Sequence, residues 1–531
     1  MTRISLDQDL AYHHGYNVKI LKIWRWHFSQ TLDFCSDCLY WNSSSSHCED
    51  SYCETQEHTW TPCKTDDADF IPGNEQVVSN FRKALQFQTV SKGPNDYNQD
   101  ELQKYQSFLI KAYPAIHSHP LVKWEQVANY SMLYTVQGRD PSLKPFMLTG
   151  HMDVVPIAEP HLWEAPPFSG EIRNGFIYGR GTIDDKHTVM GIMEAFEFLL
   201  KRGYTPKRPF YIGIGHDEEV GGHGALHIGK LLEERGVQLL YIMDEGLTIV
   251  QDVIPGIDAP VALVGASEKG YLTLRLKVNT TGGHSSMPRR DSSIGILANA
   301  VARLEANPHP NRFGEGPEIG MFEHLAPEMK LPFRMLMANL WLFSPLVSRY
   351  LSTKPESNAL VRTTTAVTEF HAGIKSNVIA PWAYATVNHR IHPAETVAQV
   401  MEYDRQIIND DRIQLEVMES REPLPRSPYD DSVFGYHTIK TSILQVWGKK
   451  NVVVAPSLTI GNTDTRHYTH LSENIYRFSP TFMYPEDLPR FHGTNERISI
   501  ANYEEAVNFF LHLLLNSDKS KLEPLHQHGE F

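Results

Sequence analysis

Three times in the first half of the chain, a short apolar run ends on acidic or imidazole side chains. Pro-Phe-Met-Leu-Thr-Gly leads into His151-Met-Asp153, Phe-Tyr-Ile-Gly-Ile into Gly-His-Asp-Glu218-Glu219, and Tyr-Ile-Met into Asp244-Glu-Gly. Runs of that length and character read as strands. In an open α/β sheet, ligands gather beyond the carboxyl ends of the strands. His151, Glu218, Glu219 and Asp244 are therefore expected to converge in one crevice, which a chance scatter of surface acids would not do.

Two further stretches extend the set: Gly-Arg-Gly-Thr-Ile-Asp184-Asp185-Lys186, just ahead of a helical pattern, and Arg-Phe-His492-Gly-Thr-Asn-Glu. Hard carboxylates with borderline imidazoles suit a pair of zinc-like divalent ions. A spare carboxylate beside such ions can act as a base toward water, so the pattern points to metal-dependent hydrolysis. Spacing separates the duties. In His151-x-Asp153, alternate strand residues face the same way, so Asp153 can accept from the imidazole and fix its tautomer. Asp184 has two oxygens to offer two metals. Glu218 and Glu219 are neighbours and cannot point alike, so one can hold metal while the other takes a proton.

Around these motifs, helix and strand alternate. Helices are expected over 75–85, 101–113, 186–202 and 224–235, and strands over 132–137, 145–149, 209–215 and 239–243. Such alternation argues an α/β catalytic domain, a mixed sheet with helices on both faces. A second unit begins near Glu268, with strand 271–278, helix 293–306, strands 364–371 and 383–391, helix 396–409 and strand 413–418. That order, β-α-β-β-α-β, is a small α+β module inserted into the larger domain. The first domain resumes with helix 432–446, strand 451–456 and helix 503–516. The expected division is an atypical extension over 1–70, catalytic domain over 71–266 and 421–531, and inserted module over 267–420. Residues 307–360 interrupt the module with Phe333, Met335, Leu336, Met337, Leu340, Trp341, Leu342 and Phe343. Either these side chains pack against the module's own helices, or 331–343 offers an apolar surface to an acyl chain, a lipid particle or a subunit.

Bulk properties narrow the alternatives. A chain of 531 residues exceeds one ordinary core, and no apolar run is long enough to span a bilayer. With 49 basic against 63 acidic residues the net charge is −14, which argues against a nucleic-acid partner, since that would want a basic face. All five cysteines (Cys35, Cys38, Cys48, Cys53 and Cys63) precede residue 64. The remainder thus has no disulfide and no cysteine ligand or nucleophile. Cys35-x-x-Cys38 lacks a matching second pair at a zinc-site spacing, and the Ser-Ser-Ser-Ser run and polar surroundings argue a poorly ordered extension. No charged start followed by an apolar core reads as a secretory signal, although Asn42, Asn129 and Asn279 each open a glycosylation sequon.

Five motifs in this order resemble the zinc-dependent metallopeptidases that include aminoacylase, carnosinase, bacterial carboxypeptidase G and yeast vacuolar carboxypeptidase S. The likeness spans about 75 to 515. It implies two zinc ions per subunit, held by His151, Asp184 (bridging), Glu219, Asp244 and His492, with Glu218 as general base and Asp153 orienting His151. It also implies a cis peptide between Asp184 and Asp185. The inserted module resembles the family's lid and dimerisation domain, which implies a homodimer. There Thr-Gly-Gly-His284-Ser-Ser matches the oxyanion-stabilising histidine, and Asn377-Val-Ile with Arg390 matches the segment whose arginine clamps a substrate carboxylate. Gly461-Asn-Thr463-Asp464-Thr-Arg466 is similar to the family's substrate-side loop. Within the family, the likeness is first to the N-fatty-acyl-amino acid synthase/hydrolase branch and next to the carboxypeptidase S branch. The implied reaction is reversible hydrolysis of N-acyl amino acids; the alternative is cleavage of short peptides. A binding protein that had lost catalysis should lack a ligand or the base, and none is missing. Kinship implies a secreted or vacuolar, lysosome-like location.

Overall fold

Strand Phe146–His151 is buried at every position, which requires a sheet covered on both faces. The computed structural model describes residues 70–522, and the cysteines, Asn42 and nearly all of the expected 1–70 extension lie outside the described residues. An eight-stranded mixed sheet carries the larger domain. Its order is Val453–Thr459, Val261–Glu268, Ile475–Met483, Ile242–Val250, Phe146–His151, Phe210–Gly215, Ser131–Val136 and Val122–Val127. The central neighbours of Phe146–His151 run parallel to it, while Ser131–Val136 is antiparallel to the strands on either side of it.

Alternate side chains serve opposite faces. Phe146 and Leu148 join a core with helices Glu75–Ala84, Lys186–Lys201, Phe434–Trp447 and Ile500–Ser517. Met147 points the other way, into a smaller core beneath helix His223–Glu234. Helix Lys186–Lys201 is buried at 14 of its 16 positions, so it lies between sheet and neighbouring helices rather than on the surface. Gly191 permits this, because a β-carbon there would meet the Phe510 ring. Among the described residues, no helix is long and apolar enough to cross a membrane.

Between Glu268 and Pro423 the chain leaves this sheet and builds a second one. Its order is Thr364–Ala372, Trp382–Ile391, Gly270–Asn279 and Gln414–Arg421, all antiparallel. Helices Ser293–Ala306 and Val397–Ile408 pack on one face through Leu297, Ala300, Leu304 and Ile408. The element order is the expected β-α-β-β-α-β.

Three features depart from the sequence reading. Strand 239–243 is shifted and longer: Ile242–Val250 runs on through Asp244 and Glu245 because Ile475–Met483 pairs beside it, with Asp244 opposite Arg477. The hydrophobic pattern passed over Val261–Glu268 and Ile475–Met483, the former ending on Glu268 and the latter carrying Arg477 and Pro480. Residues 307–360 form four helices, Glu318–Leu325, Phe333–Met337, Leu340–Leu351 and Pro355–Val361. Their apolar side does not pack on the module's own helices. Met321, Phe322, Leu325 and Met337 instead join Val250, Ile257, Val261 and Ala455 of the larger domain. The insertion thereby covers the Val453–Thr459 edge of the large sheet, an edge that would otherwise stand open. On its outer side Trp341 is 82% exposed, Leu331 76% and Leu342 55%.

Candidate metal centre

His151 is the last residue of its strand, and Glu218 and Glu219 open a short turn just beyond Phe210–Gly215. Both therefore sit at carboxyl ends of neighbouring parallel strands. Asp184 comes from the loop before helix Lys186–Lys201, joined to Asp185 by a cis peptide. His492 lies in a turn ahead of Arg497–Ser499 with φ of 55°.

The two carboxylate oxygens of Asp184 reach different imidazoles. Oδ1 is 3.0 Å from His151 Nε2, and Oδ2 is 2.9 Å from His492 Nε2. A second carboxylate stands beside each ring: Glu245 Oε1 at 3.2 Å from His151 Nε2, and Glu219 Oε2 at 3.3 Å from His492 Nε2. Ligand atoms about 2.0–2.1 Å from a tetrahedral zinc lie roughly 3.3 Å from one another. The two imidazole–carboxylate sets match that spacing, with Asp184 common to both. Donor capacity is also left over, since Glu219 Oε1, Asp185 Oδ1 and Asp244 Oδ2 are buried without a hydrogen-bond partner. The residues fit a pair of divalent ions.

Charge balance points the same way. Burial pushes the Glu219 carboxyl up to about 7 and that of Asp244 up to about 6. It holds Glu245 and Asp185 well above the usual range. Asp184 is the exception, because the two imidazoles outweigh its burial and lower it. His492 is drawn up to about 10 by Asp184 and Glu219. So many buried carboxyls so close together want a cation.

Asp153 does more than orient His151. Its main-chain and side-chain oxygens lie 3.1 and 3.2 Å from His151 Nδ1. Its carboxylate also accepts the N–H groups of Glu218 at 3.1 Å and Glu219 at 3.3 Å. One buried aspartate thus positions both the histidine and the glutamate pair. Burial holds Glu218 well above the usual carboxylate range, against the pull of Arg466, whose Nη1 is 3.5 Å away. A proton acceptor of raised basicity is what general-base chemistry near neutral pH requires. Gly222 closes this corner. Its φ is 65°, and the Asp464 carboxylate occupies the space a β-carbon would need.

Several residues of the site lie within recognised motifs but had no assigned role. Glu245, next to Asp244, is the strand residue that reaches His151. Arg180 and Glu496 form a buried pair at 2.7 Å. Glu496 accepts from the N–H groups of Gly181, Ile183 and Asp184, and Arg180 donates to the carbonyls of His492 and Gly493. That pair joins the Asp184 loop to the His492 turn. Glu268, fully buried, accepts from Asn462, Thr463, Thr465 and Arg477.

The substrate-side residues divide into two groups. Arg390 lies over the Tyr271 ring, and its Nη1 donates to Asn462 Oδ1 at 2.6 Å. Thr463 and Arg466 turn inward, to Glu268 and Glu218 respectively. His284 and Asn377 are exposed on a two-stranded ribbon of the smaller domain, where His284 pairs with Val378 and Asn377 accepts from Ser285 N–H. Neither makes a hydrogen bond to the metal-side residues.

Comparison with known proteins follows the same lines. The sequence model of peptidase family M20/M25/M40 matches residues 147–516. An N-fatty-acyl-amino acid synthase/hydrolase of Danio rerio is 52% identical over 452 residues, covering 85% of this chain and 87% of its own. The Homo sapiens protein of that name is 47% identical over 448 residues, covering 84% and 89%. Carboxypeptidase S of Saccharomyces cerevisiae is 31% identical over 489 residues, covering 83% and 84%. Among solved structures, an M20 family metallo-carboxypeptidase from Sulfolobus solfataricus superposes with a TM-score of 0.60 at 16% identity, covering 84% of this chain and 99% of that one. Human carnosine dipeptidase 1 does so with 0.58 at 15%, covering 84% and 96%.

Proposed function

The chain belongs to peptidase family M20/M25/M40, a family of hydrolases, and from that premise we propose that it hydrolyses, and in reverse condenses, N-fatty-acyl amino acids at a two-zinc centre. The observation that carries the metal half of this reading is Asp184, with one carboxylate oxygen on each histidine. The substrate half rests on relatives 47–52% identical over most of the chain that bear that activity in their names.

His151, Asp184 and a carboxylate of the Asp244-Glu245 pair would hold one ion; Asp184, Glu219 and His492 would hold the other. Bound zinc would supply Lewis acidity toward a water and an amide carbonyl. Glu218 takes the proton from the attacking water as the new C–O bond forms. It then delivers that proton to the amine nitrogen as the C–N bond breaks, which leaves a fatty acid and an amino acid. Arg390 pairs with the amino-acid carboxylate, its guanidinium held in place by Tyr271 and Asn462. His284 steadies the oxyanion; its exposure on the lid ribbon suits delivery across a homodimer. The exposed side of 331–343 is read as a lipid-facing surface, and a secreted or vacuolar compartment is proposed with it.

The test offers N-oleoyl-phenylalanine and a panel of dipeptides to the purified chain, with metal content measured on the same sample. Turnover of the acyl amide with about two zinc per chain is expected. Glu218→Gln should keep its metal and lose roughly 100-fold or more in kcat. Preference for dipeptides would favour a carboxypeptidase S-like activity, and full activity of Glu218→Gln would remove the assigned base.

A further inference from the structure

A second histidine–carboxylate cluster lies within the smaller domain, behind the strand that carries Arg390. His389 precedes Arg390 on Trp382–Ile391, so the two side chains leave opposite faces of the sheet. His389 faces helix Val397–Ile408, which presents Asp404, and His309 arrives from the segment that leads into the apolar insertion. All three are buried, at 1% exposure or less.

His389 Nε2 is 2.9 Å from Asp404 Oδ2, and His309 Nε2 is 3.4 Å from Asp404 Oδ1. One potential ligand atom from each of the three lies within 4.8 Å of the other two. His389 Nδ1 is engaged by Thr365 Oγ1 at 3.2 Å, which directs Nε2 to the cluster. Close as they are, the rings and the carboxylate are not aligned as hydrogen bonds. Both oxygens of Asp404, Nε2 of His389 and both nitrogens of His309 are buried without a hydrogen-bond partner. Leaving one such atom unpaired is costly, and native structures rarely gather five of them at one point. Groups that converge on a common ion show this combination, because their lone pairs aim at the ion and not at each other. The carboxyl is also in the right state: burial opposes its ionisation, yet the two imidazoles hold Asp404 below its usual range.

We propose that the smaller domain binds a divalent cation of its own, with His309, His389 and Asp404 as ligands. Two imidazoles and a carboxylate, with water to complete the shell, form a donor set that favours zinc over calcium or magnesium. Such an ion ties together the entrance to the insertion, the strand bearing Arg390 and helix Val397–Ile408. It is a structural ion, separate from the Asp184 cluster and independent of what that cluster catalyses.

The test uses the full chain carrying His151→Ala and Asp184→Ala, so that the first cluster does not mask the second. Cobalt(II) is titrated into the metal-stripped protein, and visible d–d absorption is followed. One equivalent is expected to bind, and the band is expected to vanish when Asp404→Asn or His389→Gln is added. A band that survives both changes, or no binding before them, overturns the proposal and leaves a buried histidine–aspartate network. Should the added changes unfold the chain, cadmium-113 NMR of the 15N-histidine-labelled parent decides the matter. Coupling of the metal to two imidazole nitrogens supports the site, and its absence overturns it.

Discussion

Glu496 shows how much of a metal site is built by residues that touch no metal. It neutralises Arg180 and accepts the main-chain N–H groups that shape the Asp184 loop, while Arg180 secures the His492 turn. Glu496→Ala would leave Arg180 buried and unpaired, a loss of about 3–5 kcal/mol. Urea unfolding should register that loss, and bound metal should fall with it; unchanged metal content would show that the loop holds its shape unaided. Glu496 and Arg180 stood in plain view within the motifs. Their pairing did not, because residues 316 apart in sequence reveal no contact through local pattern. Glu245 was missed for a related reason. Whether Asp244 or its neighbour reaches His151 depends on the register of Ile242–Val250, and that register is set by pairing with Ile475–Met483.

At the scale of elements, the strands and helices with strong periodicity were legible and those shaped by long-range pairing were not. Helix Ser293–Ala306 and strand Gly270–Asn279 obey their own patterns, the strand alternating buried and half-buried along its length. Val261–Glu268 is buried nearly throughout and carries no alternation to read. The insertion was recognisable as apolar, but the surface that receives it could not be inferred from the insertion alone. Its two sides make opposite predictions. Phe322→Ala, at the contact with the large sheet, should cost about 3–5 kcal/mol of stability by denaturant unfolding. Trp341→Ser, on the exposed side, should stay within about 0.5 kcal/mol, yet weaken binding to phospholipid vesicles. A large loss of stability in Trp341→Ser would mean that this face is covered.

The whole molecule stores acid at its centre, and that sets how it responds to pH once metal is removed. Burial pushes Glu219 to about 7 and Asp464 to about 8, and holds Glu218, Glu245 and Asp185 well above the usual range. A carboxyl raised in the folded state keeps a proton that the unfolded chain has released, so its contribution is complete near pH 4 and fades as pH climbs through the folded value. His187 and His467, pushed down to about 3 by burial, act in the opposite sense up to about pH 6.5. The raised carboxyls, which also include Glu194, Asp244 and Glu496, outnumber the lowered imidazoles, which also include His117 and His216. Chelator-stripped protein should therefore unfold at lower urea at pH 7 than at pH 5, and added zinc should recover more stability at pH 7, where fewer protons compete with it for the same side chains. Equal stability of the stripped protein at both values would contradict the burial argument. The join between Asp184 and His492 also has a meaning in time. These residues are 308 apart, and a ribosome adding about 5–20 residues per second separates their appearance by roughly 15–60 s. Throughout that interval the growing polypeptide carries Asp184 and Glu219 without the imidazole that stands beside both. The set formed by His151, Asp184 and Glu245 is present by residue 245 of 531, before synthesis is half done, so the two halves of the centre become complete at different times.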